Sequence, residues 1–182
     1  MKRLRELSDA PASRPITAEE VMEFHAARLV LLFKHCGVKG RRIDSLTKMA
    51  KLDFFVRYPD FFAIAAAAEG KGSAAEASEE SRMVRYRYGP WDDRYYHLLA
   101  YLEALGLLDV SRQGNSFRLA LTDEGARVAD ELTENSSFDP LVGHMKQVKK
   151  VLGGKSGTRL KDLIYELFDA EVGQRALGEV ID

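Results

Sequence analysis

One stretch of the sequence, residues 82 to 131, constrains the fold of the chain more than any other part. Residues 83 to 88 alternate with the period of two that is typical of a β-strand, and the alternation stops at Gly89-Pro90. Apolar residues then recur at helical spacing, and two short runs flank Gln113-Gly114-Asn115, which indicates a hairpin. Thr122 follows as the predicted cap of another helix. This order of strand, helix, hairpin and helix predicts a winged helix-turn-helix domain.

Three helices are predicted ahead of that stretch. Thr17 has the position of an N-cap, with a glutamate three residues later, and the apolar periodicity that follows ends at Gly37. After the basic turn of residues 39 to 42, an amphipathic helix is predicted over residues 43 to 59 and a short alanine-rich helix over residues 60 to 69. The expected fold class is mainly α with a small β wing (α+β), a winged helix-turn-helix core with N- and C-terminal helical extensions.

Changes in composition divide the chain into regions. Residues 1–15 are polar and lack periodicity, so they are expected to form a flexible arm. The winged-helix core is expected to span residues 16–136 and to contain a mobile insertion at residues 69–81, which is rich in Gly, Ser, Ala and Glu. Residues 137–182 are expected to form a C-terminal helical extension, in which Gly153-Gly154 separates two amphipathic helices.

The sequence argues against several kinds of chemistry. Cys36 is the single cysteine, which excludes an intrachain disulfide and a cysteine cluster for zinc. His35 beside it would point about 100° away on a helix, so the two do not suit a nucleophile and its base. The segment GGKSGT (residues 153–158) has Lys149 where a phosphate-binding loop needs its first glycine, so a turn capped by Thr158 is predicted instead. We expect no catalytic residue, no cofactor and no metal.

Charge and hydropathy bound the compartment and the partners. The net charge is −1, so contact with nucleic acid would have to come from local patches of basic residues. The beginning of the sequence has no apolar signal region, and the longest apolar runs are far below the roughly 20 residues that a membrane span needs. A cytoplasmic protein without membrane contact is expected.

Basic residues are concentrated near the C-terminus. Between residues 141 and 161 there are six basic side chains and no acidic one. These side chains are Lys146, Lys149, Lys150, Lys155, Arg159 and Lys161. A second cluster includes Arg41 and Arg42. Both groups are expected to contact either the phosphates of double-stranded DNA or an acidic surface of a partner protein, and a merely solvated face is the remaining alternative.

The helix predicted from Trp91 to Leu105 is the candidate protein interface. Its buried stripe is expected to run from Tyr95 to Leu105. Asp92 and Asp93 would lie at its exposed N-terminal end, where they would repel the phosphates of a DNA groove. Aromatic residues fit a protein interface better, although they could equally belong to the core. The residues expected to contact a protein partner are Trp91, Arg94, Tyr96, His97 and Tyr101.

Four segments carry a resemblance to a known family: IDSLTKMAKLDFFVRYPDFF, SRMVRYRYGPWDDRYYHLLAYLEALGLLDV, FRLALTDEGARVADEL and KSGTRLKDLIYE. Together they resemble the small middle components of bacterial three-component ABC-ATPase conflict systems, a group that includes Lamassu-like anti-phage defence. The resemblance implies a non-catalytic adaptor that joins an SMC- or Rad50-like ATPase to an effector such as a nuclease, in defence against phage or plasmids. It supplies no catalytic residues.

A second function class stays open on the sequence alone. A dimeric winged-helix transcription regulator would bind DNA through the wing and use the C-terminal helices as its dimer interface. Such a protein would need the basic wing and strand to compensate for the acidic start of its recognition helix.

Overall fold

The computed structural model describes residues 20–39, 41–72, 83–86, 89–114, 116–169, 172 and 180–181. In chain order, the elements are α1 (Met22–Cys36), β1 (Arg42–Asp44), α2 (Leu46–Arg57), α3 (Pro59–Ala68), β2 (Met83–Tyr86), β3 (Gly89–Trp91), α4 (Tyr95–Ala104), β4 (Leu108–Gln113), β5 (Ser116–Leu121), α5 (Asp123–Glu134), α6 (Asp139–Leu152), α7 (Gly157–Leu167) and β6 (Val180–Ile181). A 3-10 turn, Ser136–Phe138, precedes α6. The described part is mostly helical and has small antiparallel sheets, so the fold belongs to the α+β class.

The first sheet has the strand order β1-β5-β4, with antiparallel pairing throughout. β4 and β5 form the predicted hairpin, and its Asn115 lies outside the described residues. β1 corrects the expectation that a basic turn leads directly into a helix, because Ile43 is buried and pairs with Leu119 of β5. Three residues are too few to show a period of two, so this strand leaves no signal in the sequence.

The second sheet has the order β3-β2-β6, also antiparallel. The strand predicted at residues 83 to 88 is present as β2 over its first four residues, and residues 87 and 88 lie outside the described part. A winged-helix arrangement of this stretch would place β2 in the same sheet as the hairpin. In the structure β2 belongs to the other sheet. Gly89-Pro90, predicted as a turn, is the beginning of β3, where Gly89 has a φ of +91°. The partner strand β6 comes from the other end of the chain, which a local pattern cannot indicate.

The core is one hydrophobic cluster, and each of the helices α1 to α7 contributes residues to it. α1 lies at its centre: Leu29, Leu31, Leu32 and Phe33 have no exposed surface. α1 packs against α4, α5 and α6, and α2 packs against α6 and α7. The two helices of the predicted C-terminal extension therefore contribute to the same hydrophobic core as the helices before them. Among the described helices, none has both the length and the apolar character to cross a membrane.

Several predicted features lie partly or wholly outside the described residues. These are the flexible arm at residues 1–15, the cap at Thr17 and residues 73–81 of the predicted insertion. In the described part, α1 begins at Met22, after an N-cap residue whose side chain makes no capping hydrogen bond. The predicted cap of α5 is confirmed, because the Thr122 hydroxyl accepts a hydrogen bond from the Gly125 backbone N–H at 2.9 Å.

Candidate protein and nucleic-acid interfaces

The N-terminal end of α4 differs from the exposed acidic end that the sequence suggested. Asp92 is buried, with 3% of its surface exposed. Its carboxylate accepts a hydrogen bond from Arg57 Nη1 at 2.7 Å, and it also pairs with Arg94 at 2.7 Å. Burial alone would raise the pKa of Asp92, but the hydrogen bonds from Arg94 and the charges of Arg57 and Arg94 lower that pKa to about 2. Of the two aspartates at this end of the helix, only Asp93 is exposed.

A buried polar network, which was not predicted from the sequence, connects α4 to α1 and α2. Arg28 donates from Nε to Asp53 Oδ1 at 3.0 Å and from Nη2 to Asp53 Oδ2 at 3.3 Å. The Tyr95 hydroxyl donates to Asp53 Oδ2 at 2.7 Å. His25 bridges two arginines, with Nδ1 at 2.8 Å from Arg28 Nη1 and Nε2 at 2.6 Å from Arg94 Nη1. The signal that the sequence offered for this network was a charged residue within the apolar face of each helix, Arg28 in α1 and Asp53 in α2.

The exposed residues of α4 divide between two sides of the helix. Tyr95, Leu98, Leu99 and Leu102 face the core. At about 100° per residue, Tyr96, Ala100 and Glu103 lie on one flank, and His97, Tyr101 and Leu105 lie on the other. Each flank is about 110–120° around the helix from the residues that face the core. Tyr96 is 62% exposed, and Leu105 is 51% exposed. Leu105 therefore does not belong to the buried stripe in which the sequence placed it.

The residues predicted to form one protein interface therefore lie in different structural environments. Trp91 belongs to β3 and not to the helix, and it packs half-buried with its ring edge-on to Tyr95, 5.1 Å between centroids. Arg94 directs its guanidinium to Asp92 and His25. Tyr96 is the most exposed large hydrophobic residue of the helix, and its ring centroid is 5.7 Å from that of Trp91.

The flank of α4 that carries Tyr101 and Leu105 borders an apolar groove, which we call the interhelix groove. It lies between α1, α4 and α5 and has a volume of about 180 Å³. Tyr101, Leu102 and Leu105 of α4 line one wall. The other walls come from residues of α1, from Leu107 and from α5, namely Glu23, Ala26, Ala27, Val30, Val128 and Leu132. The salt bridge between Lys34 and Asp130, 2.6 Å, joins α1 to α5.

The basic residues near the C-terminus do not form one continuous cationic surface. Lys149 donates from Nζ to the carbonyl oxygens of Cys36 at 2.9 Å and Gly37 at 2.7 Å, so it satisfies the C-terminal end of α1. Lys155 pairs with Glu69 at 2.6 Å, so an acid from the end of α3 neutralises it. Distant parts of the chain therefore supply the partners that the local sequence lacks.

Two more of these cations pair within α7. Arg159 lies 3.1 Å from Glu166, and Lys161 lies 3.2 Å from Asp162. Lys146 and Lys150 are exposed, and neither makes a salt bridge with any residue of the described part. Of the six basic residues between positions 141 and 161, Lys146 and Lys150 are therefore the two with uncompensated charge.

A second groove lies beside β1 and carries more concentrated positive charge. Its volume is about 360 Å³, and we call it the cationic groove. Its four basic residues are Lys39, Arg41, Arg42 and Arg118. Arg41 and Arg42 are the two that the sequence predicted as contacts of DNA or an acidic partner. Its remaining lining residues, Val38, Ala120 and Leu121, are apolar. Arg118 was missed because it reaches this place only through the pairing of β5 with β1.

The residues considered for catalysis have separate partners. Cys36 is buried, its Sγ lies 3.4 Å from the Met145 carbonyl oxygen, and burial raises its pKa to about 12. His35 Nε2 instead lies 3.0 Å from the Thr133 hydroxyl. In the GGKSGT segment, Ser156 and not Thr158 caps α7, by accepting from the Arg159 backbone N–H. Comparison of the chain with protein-family models, curated proteins and solved structures gave no match.

Proposed function

We propose that the chain is a non-catalytic adaptor whose interhelix groove and helix α4 bind a partner protein. The groove is the observation that carries this proposal. A single exposed leucine is ordinary in a soluble protein, but Leu105 continues an apolar concave surface that Tyr101 and residues of α1 and α5 form. Such a surface suits the apolar side of a helix or loop from another protein.

We further propose that the hairpin sheet and its helices form a winged-helix core. The order α1, β1, α2, α4, β4 and β5, with β1 paired to β5, supports this proposal. In that arrangement α4 has the position of a recognition helix, and α3, β2 and β3 are inserted between α2 and α4.

The surface of α4 favours a protein partner over a DNA sequence. A recognition helix that reads bases presents Arg, Lys, Asn, Gln or Ser side chains. Apart from the core residues, α4 presents Tyr96, His97, Ala100, Tyr101 and Glu103, none of which is of these types. Arg94, at its N-terminal end, pairs with Asp92. With the resemblance to the middle components of three-component ABC-ATPase systems, the expected partners are an SMC/Rad50-like ATPase and an effector nuclease.

Co-purification with an SMC/Rad50-like ATPase encoded beside its gene tests the adaptor. Leu105→Glu should lower recovery of the ATPase at least 10-fold, because it places a charge in an apolar contact. Ile64→Glu is the matched control, since Ile64 on α3 is also 51% exposed and lies outside the groove. Both variants should retain the wild-type thermal transition. A chain that stays alone at micromolar concentration with the ATPase, or equal loss for both variants, would contradict the proposal.

A dimeric winged-helix transcription regulator is the second candidate, and the cationic groove is the observation that favours it. This candidate expects duplex binding with a clear preference for one operator sequence, together with a stable dimer in sedimentation experiments. Binding that does not depend on sequence would argue for the adaptor instead.

A further inference from the structure

We propose that the cationic groove binds the phosphodiester backbone of double-stranded nucleic acid without sequence preference. Its basic residues come from two parts of the chain that β-pairing brings together. Lys39 and Arg41 lie in the turn after α1, Arg42 lies in β1 and Arg118 lies in β5. The site goes beyond the adaptor function, because no residue lines both this groove and the interhelix groove.

The sheet register places two of the arginines on one face. Arg42 pairs with Ala120, and Arg118 lies two residues before Ala120 in β5. Side chains two apart on a strand share a face, so Arg42 and Arg118 are diagonal neighbours about 7–8 Å apart. The intervening residues Ile43 and Leu119 point to the other face and are buried in the core. Arg42 and Arg118 therefore lie on the face of the sheet away from the core, which borders the groove and also carries Asp44 opposite Arg118.

The charge of the groove is only partly compensated. Arg41 pairs with Asp123 at 2.6 Å, and Arg42 Nε lies 3.2 Å from Asp44. For Lys39 and Arg118 the described residues provide no salt bridge, although the register places Asp44 directly opposite Arg118 and Asp109 opposite Ala120. Three acids, Asp44, Asp109 and Asp123, therefore lie beside the four basic groups. The Arg41–Asp123 pair is solvent-exposed, and exposed pairs contribute little, so a phosphate can replace Asp123 at low cost.

Phosphate is the ligand that this set of donors favours. Three of the four groups are guanidinium groups, which form paired hydrogen bonds with phosphate oxygens. A nucleic-acid duplex offers such oxygens in a regular array, and each phosphate contact releases bound counterions. The remaining lining side chains, Val38, Ala120 and Leu121, have no polar group that could read a base edge. Binding should therefore be salt-sensitive and indifferent to sequence.

The test compares two double variants that remove the same charge. Lys39→Gln with Arg118→Gln changes the groove, and Lys146→Gln with Lys150→Gln removes the two uncompensated charges of α6, the competing candidate for phosphate contact. Binding of the full chain to a labelled DNA duplex of about 20–30 base pairs is followed by fluorescence anisotropy over a salt series. The groove variant should lose at least 10-fold in affinity and about two units of salt slope, while the α6 variant changes affinity less than about 2-fold.

Further arms separate the possible ligands. A second DNA sequence of the same length should bind equally, and an RNA duplex of that length should also bind, because its backbone carries the same phosphodiester groups. Arg118→Lys should restore part of the affinity that Arg118→Gln loses, and thermal melts should match the wild type. Absence of duplex binding, equal loss in both double variants, a strong sequence preference, or equal competition by polyglutamate at the same charge concentration would overturn the proposal.

Discussion

Arg28 of α1 and Asp53 of α2 form a bidentate ion pair, and neither side chain is exposed to solvent. The Tyr95 hydroxyl of α4 adds a third hydrogen bond to the same carboxylate. One carboxylate therefore joins three helices, including the helix that carries the proposed protein contact. Breaking such a pair leaves a buried charge without its partner, which costs more than the pair itself contributes.

Asp53→Asn should lower the free energy of unfolding by roughly 3–5 kcal/mol, because it removes the carboxylate charge that pairs with the buried Arg28 guanidinium. Tyr95→Phe should cost less, about 1–3 kcal/mol, since it removes one hydrogen bond to the carboxylate. Urea denaturation measures both. Tyr96→Phe is the control on an exposed ring and should have almost no effect. A loss for Asp53→Asn smaller than that for Tyr95→Phe would contradict this account.

Lys51 predicts a dependence of stability on pH. Its side chain is buried, and Nζ donates to the Pro90 carbonyl oxygen at 2.9 Å. Burial, with a smaller contribution from the charge of Lys161, lowers its pKa from 10.5 to about 7. Above pH 7 the folded chain has released a proton that the unfolded chain still holds. The free energy of unfolding should therefore rise with pH, by at most about 1.4 kcal/mol per pH unit from this group.

Urea denaturation between about pH 7 and pH 8.5 checks this slope. The upper bound avoids Cys36, whose pKa is raised from 9.0 to about 12 and which therefore gives the opposite slope at higher pH. Lys51→Met should abolish the increase, and Lys150→Met, at an exposed position, should preserve it. An unchanged slope in Lys51→Met would show that another group is responsible.

Gly125 and Gly143 predict opposite effects of the same substitution. A Cβ on Gly125 would lie 1.9 Å from the Leu107 carbonyl oxygen, whereas a Cβ on Gly143 would meet nothing within 4 Å. Gly125→Ala should destabilise the protein by about 1–3 kcal/mol through overpacking. Gly143→Ala, within α6, should stabilise it by about 0.5–1 kcal/mol because alanine favours helix. Thermal unfolding of the two variants measures the contrast, and a gain in both would exclude the close approach.

Local patterns in the sequence predict much of the fold. The periodicity indicated α1, α2 and α4 to α7, and the hairpin signal indicated β4 and β5. Features that depend on distant pairing could not be predicted in this way. β1 is too short to show a period, and its role depends on β5. The sequence places Asp92 at the exposed end of a helix, and only the tertiary structure brings Arg57 to it.

The candidate sites show the same division. The sequence selected Arg41 and Arg42, but Arg118 joins them only through the strand register. The sequence also selected Lys155 as a free cation because no acid lies near it in the chain, although Glu69 neutralises it in the fold. A count of charges along a segment thus overestimates its positive surface wherever acids from other elements pack against it.

Lys149 and Lys146 should respond differently to loss of their charge, although both lie in the same basic segment. Lys149 Nζ donates to the carbonyl oxygens of Cys36 and Gly37, where the partial negative charge of the α1 dipole is located. Lys149→Gln should therefore lower the free energy of unfolding by about 1–3 kcal/mol, since hydrogen bonds to charged groups contribute on this scale. Lys146→Gln, at an exposed position, should change it by less than about 0.5 kcal/mol. Urea denaturation distinguishes the two, and equal stability of both variants would mean that Lys149 does not hold the end of α1.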